Sequence, residues 1–259
     1  MSESGPCDAG AFDVLTRWDP ALGGALERVT NDPWTGALDR KTVELICVAV
    51  NAACTNLNKD GTRRHIRKAL EAGATQRELL TVLTMASLLS IHTCSLGAPI
   101  LPEEAKNAGV TWKEKDADTP ICDRMRAAGQ WNAAWDPFYS IDPVWTEAFI
   151  ACGAPVYSGV VFEPKVAELL SIAFDVSYTH MYAPGTRRHI KAALAHGATI
   201  EEVMDVFKLC VGQGVQALNM GGSDPRSGAR EGTVMTAPHF RCIPTALIHA
   251  ADELRMKSN

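Results

Sequence analysis

The sequence predicts an all-α fold, and two observations lead to this prediction. Apolar residues recur at helical spacing, and nothing alternates with period two over more than a few residues. The chain also repeats itself: residues 38–97 align without a gap with residues 162–221, and 19 of the 60 aligned positions are identical. We refer to these two segments as the first repeat and the second repeat.

The repeats predict two modules, residues 1–115 and residues 116–259. The boundary between them falls in WKEKDADTP, residues 112–120. This segment is charged, contains a proline and lacks apolar periodicity, which is typical of a linker.

Each repeat is predicted to form three consecutive helices. In the first repeat the apolar pattern predicts a helix over about residues 40–56, and Thr62 is predicted to cap a second helix that ends at Gly73. A capping-box pattern, T-x-x-E, then precedes the third helix at Thr75 and Glu78. The second repeat carries the same signals at Gly185, Thr186, Gly197, Thr199 and Glu202. Leu70 and Leu194, which are aligned with each other, are predicted core residues.

Two features are predicted beyond the second repeat. The glycine-rich segment 221–232 is expected to be a flexible loop that could act as a lid. The amphipathic stretch 244–256 is expected to form a final helix on the outside of the fold.

Composition and charge exclude several classes of function. The formal net charge of the 259 residues is −5 and the pI is about 5.8, which argues against a broad nucleic-acid-binding surface. No run approaches the roughly 20 apolar residues of a membrane span. The opening residues lack the pattern of a secretory signal, so we expect a cytoplasmic location.

The eight cysteines contain no CxxC spacing. We therefore expect reduced, mostly buried thiols and no metal site.

Some residues present in both repeats lack an evident structural reason. Glu44 and Glu168 lie within apolar helices, where a carboxylate must find a partner. His65 and His189 are predicted at the edge of the buried face of the following helix. A Glu that holds the His could fix the imidazole tautomer for general acid–base catalysis. The alternative interpretation is a structural Glu–His contact between two helices.

Two arginines precede each histidine. Arg63 and Arg64 lie in the first repeat, and Arg187 and Arg188 lie in the second. One arginine of each pair could bind a substrate carboxylate, Arg64 and Arg188 being preferred. The alternatives are a contact between subunits and an ordinary solvated helix face.

Other polar residues differ between the repeats. Tyr178 and His180 precede the second histidine, whereas a cysteine and an asparagine occupy the aligned positions in the first repeat. His92 aligns with Gln216. These differences predict two non-equivalent pockets, the second being better equipped for proton transfer. Tyr178, His180 and Gln216 are therefore further candidates for substrate binding.

The repeated pattern resembles a known family. The run E-L-x-x-x-A…H-x-x-x-A-L-x-x-G-A-T-x-x-E occurs at Glu44…His65…Glu78 and at Glu168…His189…Glu202. It resembles the carboxymuconolactone decarboxylase family, which includes the alkylhydroperoxidase D branch. The resemblance implies a tandem duplication of an alkylhydroperoxidase D-like helical bundle. It also implies a homo-oligomer, expected to be a trimer of tandem chains.

The resemblance favours the decarboxylase branch. The peroxidase branch uses a CxxC motif, whereas Cys54 stands alone here and Tyr178 occupies the aligned position. The implied activity is a cofactor-independent decarboxylation of a small carboxylated lactone or oxo acid. His189 and His65 would transfer the proton, held by the two glutamates, and no metal would take part. The alternatives are an isomerase or other lyase with the same enolate chemistry, a thiol-dependent peroxidase, and a non-catalytic ring scaffold.

Overall fold

A computed structural model describes Asp13 and residues 16–113, 115–129 and 131–221. Every regular element in these residues is a helix, which confirms the all-α prediction. The α-helices are α1 (Pro20–Asn31), α2 (Arg40–Ala52), α3 (Lys59–Glu71), α4 (Gln76–Leu88), α5 (His92–Asn107), α6 (Pro120–Ala127), α7 (Asp136–Ile141), α8 (Pro143–Gly153), α9 (Pro164–Val176), α10 (Ala183–Ala195), α11 (Ile200–Gly212) and α12 (Gln216–Gly221). Short 3₁₀ turns lie at Asp32–Thr35, Leu89–Ile91, Ala133–Trp135 and Gln213–Val215. The predicted loop at 221–232 and helix at 244–256 fall beyond α12, outside the described part.

The helix caps explain where the elements of the first repeat begin and end. Helix α2 begins after Asp39, whose side chain accepts from the Thr42 amide, and it ends at Ala52, earlier than predicted. Helix α3 is capped by Asn58, so the prediction of Thr62 as its N-cap is wrong. The Thr62 hydroxyl instead donates to the Asn58 carbonyl at 2.7 Å. Asn58 caps the helix because its side-chain oxygen accepts from the Gly61 amide, which starts the helix one turn before Thr62.

Thr186 does not cap its helix either, because α10 begins after Tyr182, whose carbonyl accepts from the Thr186 hydroxyl. The other predicted signals are largely confirmed. Both capping boxes form, at Thr75 with Glu78 and at Thr199 with Glu202. Gly73 follows α3 with φ +89°, and Gly197 follows α10 with φ +84°, in the left-handed region that glycine adopts without strain. The aligned leucines differ from the prediction. Leu70 packs on the core only partly buried, whereas Leu194 is 46% exposed and not a core residue.

Both repeats contribute to one hydrophobic core. Helix α2 packs against α3 and α4, and helix α9 packs against α10 and α11. The two repeats meet because α2 also contacts α9 and α11. Residues 110–113 and 115–119 form no regular element. The division of the chain at this segment stays a prediction.

One helical stretch is longer and more apolar than the sequence analysis expected of any segment. Residues Gln76–Asn107, which comprise α4, a 3₁₀ turn and α5, are long and apolar enough to cross a membrane by length and composition alone. A core helix of a soluble protein satisfies the same criterion. In this stretch Leu79, Val82 and Ala86 are buried in the shared core.

Candidate functional site

The two predicted Glu–His pairs form with the same geometry. In the first repeat His65 Nδ1 lies 2.6 Å from Glu44 Oε2, and in the second repeat His189 Nδ1 lies 2.6 Å from Glu168 Oε2. Each pair joins the first helix of its repeat to the second. Since the carboxylate can only accept, Nδ1 carries a proton and Nε2 is the ring nitrogen available for other contacts.

The first pair is sealed in the core. Glu44 and His65 have no exposed surface. Glu44 Oε1 is bound by Arg40 at 2.5 Å and lies 3.4 Å from the Trp34 indole nitrogen. Burial raises the pKa of Glu44, but the hydrogen bond from His65 and the nearby cations hold it below its usual range. Burial lowers the pKa of His65, so its imidazole is neutral.

A residue from the second repeat fills the space beside the first pair. Gln213 is fully buried. Its side-chain oxygen accepts from Asn51 Nδ2 at 2.7 Å, and its Nε2 donates to Cys47 Sγ at 3.3 Å. The first repeat therefore has little room for a substrate at its histidine.

The second pair opens on a cavity of about 130 Å³. The wall is mainly apolar, and most of its residues come from outside the second repeat. These residues are Met85, Leu88, Leu89, Ile91, His92, Met125, Trp135, Phe149, Ile150, Gly153, Ala154, Val156 and Tyr157, and the second repeat adds Ser171, Phe174, Asp175, Arg188 and His189. The volume is close to the roughly 150 Å³ of an engineered cavity that binds benzene. The site therefore suits a molecule about the size of one ring.

Three polar groups surround the His189 ring. Arg188 donates to His189 Nε2 at 3.0 Å, and Asp175 Oδ2 lies 3.7 Å from the same nitrogen. Tyr157 lies nearly parallel to the imidazole, with ring centroids 6.2 Å apart, and its hydroxyl is 2.8 Å from Ser171 Oγ. Although part of the Tyr157 side chain is exposed, desolvation of its hydroxyl raises the pKa of Tyr157 to about 12. The phenol therefore stays protonated and can donate a hydrogen bond.

Asp175 is held by a close approach of two helices. It is only 2% exposed, and burial raises its pKa to about 6. Gly185, in the first turn of α10, lies so close that a Cβ there would overlap the Asp175 carboxylate. The same relation holds between Gly61 and Asn51, the aligned residues of the first repeat. This contact explains why both repeats carry a glycine at this position.

The first repeat contributes a histidine to the second site. His92, in the first turn of α5, lines the cavity and stacks on Tyr182 with centroids 3.8 Å apart. Its Nδ1 lies 2.5 Å from His180 Nε2 and 3.8 Å from Asp175 Oδ1. Burial lowers the pKa of His92 to about 3, and burial also lowers the pKa of His180. Both imidazoles are therefore neutral at pH 7.

The structure separates the predicted substrate-binding residues. Arg188 lines the cavity and His180 contacts it through His92. Arg187 is exposed and lies on a surface groove with Val176, Met181 and Ile190. Arg63 is exposed, whereas Arg64 is half-buried. Tyr178 and Gln216 both contact Gln213, the residue beside the first pair.

Several cavity residues were not among the predicted site residues. Asp175 and Ser171 were missed because the comparison of the repeats selected identical residues, and both differ from their counterparts. Tyr157 was missed because it lies before the second repeat. His92 was recognised as unlike its counterpart but was not assigned to the second pocket. Trp135 also lines the cavity from outside the two repeats.

The described cysteines fit the prediction only in part. Cys47, Cys122 and Cys210 are buried, but Cys54 and Cys152 are exposed and Cys94 is intermediate. These six are free thiols. Cys54 is not among the residues that line the cavity.

By its fold and site, the chain is an all-α protein in which a buried histidine–carboxylate pair borders a small, mainly apolar cavity. Residues 20–90 match the model of the carboxymuconolactone decarboxylase family. A crystal structure from Burkholderia xenovorans, named a putative gamma-carboxymuconolactone decarboxylase subunit, is 32% identical with a TM-score of 0.76. The match covers 86% of this chain and 90% of that one. None of the curated proteins compared with the chain matches it. The chain belongs to the carboxymuconolactone decarboxylase family.

Proposed function

We propose that the protein is a carboxy-lyase that decarboxylates a small carboxylated lactone or oxo acid in the cavity of the second repeat. The observation that carries the proposal is the position of His189, held by Glu168 on one side and facing Arg188 and the cavity on the other. Family membership and the name of the similar Burkholderia protein support the same reaction class.

The chemistry makes three demands on the site. When the carboxylate leaves as carbon dioxide, the bonding electrons move onto the neighbouring carbonyl and form an enolate or dienolate. The protein must orient the carboxylate, stabilise the negative oxygen and protonate a carbon. These steps proceed without a cofactor.

Arg188 supports the first demand. A carboxylate is a stronger hydrogen-bond acceptor than a neutral imidazole. A bound substrate would therefore draw the guanidinium away from His189 Nε2, where it now donates at 3.0 Å. This exchange orients the substrate and frees Nε2 to take part in proton transfer.

Tyr157 and His189 support the other two demands. The Tyr157 hydroxyl is a donor at the cavity wall and can stabilise the enolate oxygen. Once Arg188 has moved to the substrate, His189 Nε2 takes a proton from water, and Glu168 stabilises the imidazolium, which gives this proton to carbon. The same residues would serve an isomerase, so the product must distinguish the two activities.

Proton NMR in D₂O tests the proposal with a panel of single-ring carboxylated lactones and short oxo acids. We expect wild type to release carbon dioxide from one substrate and to introduce deuterium at a single carbon. His189→Gln should slow the reaction by about 10²–10⁴, the usual contribution of a general acid–base group. His65→Gln is the matched control and should retain activity in its folded fraction.

Two outcomes would contradict the proposal. Migration of a double bond without loss of carbon dioxide would identify an isomerase. Equal activity of His189→Gln and wild type on a substrate that is turned over would assign the histidine a structural role. A third variant, Cys54→Ser, tests the thiol peroxidase alternative and should match wild type.

We also propose that the protein is a homo-oligomer, with a trimer as the expected state. Large apolar residues remain exposed on α10 and α11, namely Leu194, Ile200, Met204 and Val211. Such surfaces commonly mark contacts between subunits. Light scattering coupled to size exclusion should give three times the chain mass of 27.9 kDa; a monomer mass would contradict the proposal.

A further inference from the structure

Three side chains from different parts of the chain converge at the wall of the second cavity. They are His92 from α5, Asp175 from α9 and His180 from the turn before α10, and their potential ligand atoms lie within 4.8 Å of one another. We propose that these residues bind one divalent first-row transition-metal ion, for which Zn²⁺ is the test ion. Two imidazoles and one carboxylate form a common donor set for such ions.

The separations of the donor atoms are close to those in a metal site. His92 Nδ1 lies 2.5 Å from His180 Nε2 and 3.8 Å from Asp175 Oδ1. Zinc ligands at about 2.0–2.2 Å in a tetrahedral arrangement lie roughly 3.4 Å apart. The observed distances fall on either side of that value, so small rotations of the side chains would bring all three atoms to one ion.

The burial of Asp175 supports a cation at this position. The residue is 2% exposed, and its Oδ2 makes no hydrogen bond. A buried carboxylate of this kind is costly unless it is paired or coordinates a metal.

The backbone of the turn that carries His180 is held in place by a hydrogen bond to α9. Met181 follows it with φ +53°, a left-handed conformation that is unfavourable for a residue with a side chain. The Tyr182 amide then donates to the Asp175 carbonyl at 2.7 Å. This hydrogen bond ties the turn to the helix that supplies the carboxylate ligand.

The first repeat provides an internal comparison. The positions aligned with His92, Asp175 and His180 are Gln216, Asn51 and Asn56. All three are neutral amides, which transition metals bind poorly compared with imidazole and carboxylate. The amides bond to protein groups instead: Asn51 and Gln216 donate to Gln213 Oε1, and Asn56 donates to the Val50 carbonyl. Within the described residues the structure thus predicts one such site and not two.

A second cluster consists of Glu44, Cys47 and His65, whose potential ligand atoms also lie within 4.8 Å of one another. This cluster does not fit a metal. Its donor atoms are already engaged. His65 Nδ1 is bonded to Glu44, whose other oxygen is bound by Arg40. Cys47 Sγ accepts from Gln213, and burial raises the pKa of this thiol well above its usual range. We make no proposal for this cluster.

Metal titration of the chelator-treated full chain tests the inference. We expect calorimetry to find one Zn²⁺ per chain, and Co²⁺ to give visible d–d absorption typical of nitrogen and oxygen ligands. His92→Gln and His180→Asn each introduce the amide found at the aligned position, and each should weaken binding at least about tenfold. His196→Asn is the matched control, because His196 is exposed and lies outside the cluster.

Thermal unfolding provides an independent readout. A ligand that binds only the folded state raises the melting temperature. Added Zn²⁺ should therefore stabilise wild type and His196→Asn but not His180→Asn, whose fold is checked by circular dichroism. The proposal is overturned if wild type binds no ion, or if the two cluster variants bind Zn²⁺ as wild type does. Binding is measured without substrate, so this result does not depend on the proposed decarboxylation.

Discussion

The two Glu–His pairs have the same hydrogen-bond distance, 2.6 Å, but different surroundings. The first lies in the core, with Arg40 on the glutamate and Gln213 filling the adjacent space. The second faces a cavity and has Arg188 on the histidine instead. The residue aligned with Arg40 is Pro164, so the second glutamate lacks that partner. In the first pair Arg40 binds the glutamate and the pair is buried. In the second pair Arg188 binds the histidine, which lines the cavity.

We propose from this difference that the same pair of residues serves stability in one repeat and chemistry in the other. A buried pair contributes because each member is the other's hydrogen-bond partner, so that removing one leaves the other buried and uncompensated. A pair at a cavity contributes only if its second ring nitrogen can reach a ligand. The comparison predicts opposite consequences for matched substitutions in the two repeats.

The largest expected effect is on stability at the first pair. Glu44→Ala leaves Arg40, His65 and Trp34 without their common acceptor. It should lower the free energy of unfolding by about 3 kcal/mol, as breaking a buried ion pair does. Glu168→Ala is the matched variant and should cost less stability, because its side chain is 11% exposed, while it reduces activity more. Urea denaturation measures both, and equal losses would remove the distinction between the pairs.

A smaller effect is expected at the arginines. Arg188→Gln should raise KM about tenfold, because it removes a charge-assisted hydrogen bond to the substrate carboxylate. Arg187→Gln alters the exposed neighbour, and Arg64→Gln alters the aligned residue of the first repeat. Both should leave KM within about twofold of wild type. Steady-state kinetics on the substrate identified by NMR measures these values. A larger KM effect from Arg187→Gln than from Arg188→Gln would reverse their assignment.

The smallest effect is the pH dependence contributed by His65. Burial lowers its folded pKa below the ordinary value, while Glu44, Arg64 and Lys68 are its charged neighbours. Below about pH 6.5 the unfolded chain binds a proton that the folded chain does not, so stability falls as the pH is lowered. Between pH 7 and pH 5.5 the free energy of unfolding should fall, by at most about 1.4 kcal/mol per pH unit for this one group. His65→Gln should be less stable at pH 7 yet less sensitive to pH, and an unchanged slope would show that other groups carry the dependence.

The sequence predicted the helices and the glutamate–histidine contacts because these depend on local patterns present in both repeats. The capping boxes at Thr75 and Thr199 need only neighbouring residues, and Asn58 was missed because several nearby residues can cap. The sequence favoured Arg188 without excluding Arg187, since the distinction depends on about 100° of rotation around one helix.

The composition of the cavity could not be predicted from the repeats alone. His92 and Asp175 are 83 positions apart in the sequence and meet only because α5 begins where the first repeat packs against the second. Their counterparts are amides, so a search for identical residues could not identify either one. The functional difference between the repeats lies in the positions that differ.

The contribution of each repeat to the other's histidine site has a consequence for engineering. A mutant library confined to residues 162–221 would leave Met85, Leu88, Leu89 and His92 untouched, although all four border the reacting space. Residues 162–221 expressed alone would carry the His189 ring but not this wall. Substrate range is therefore a property of the whole chain, and it can be altered from a segment about a hundred residues before His189.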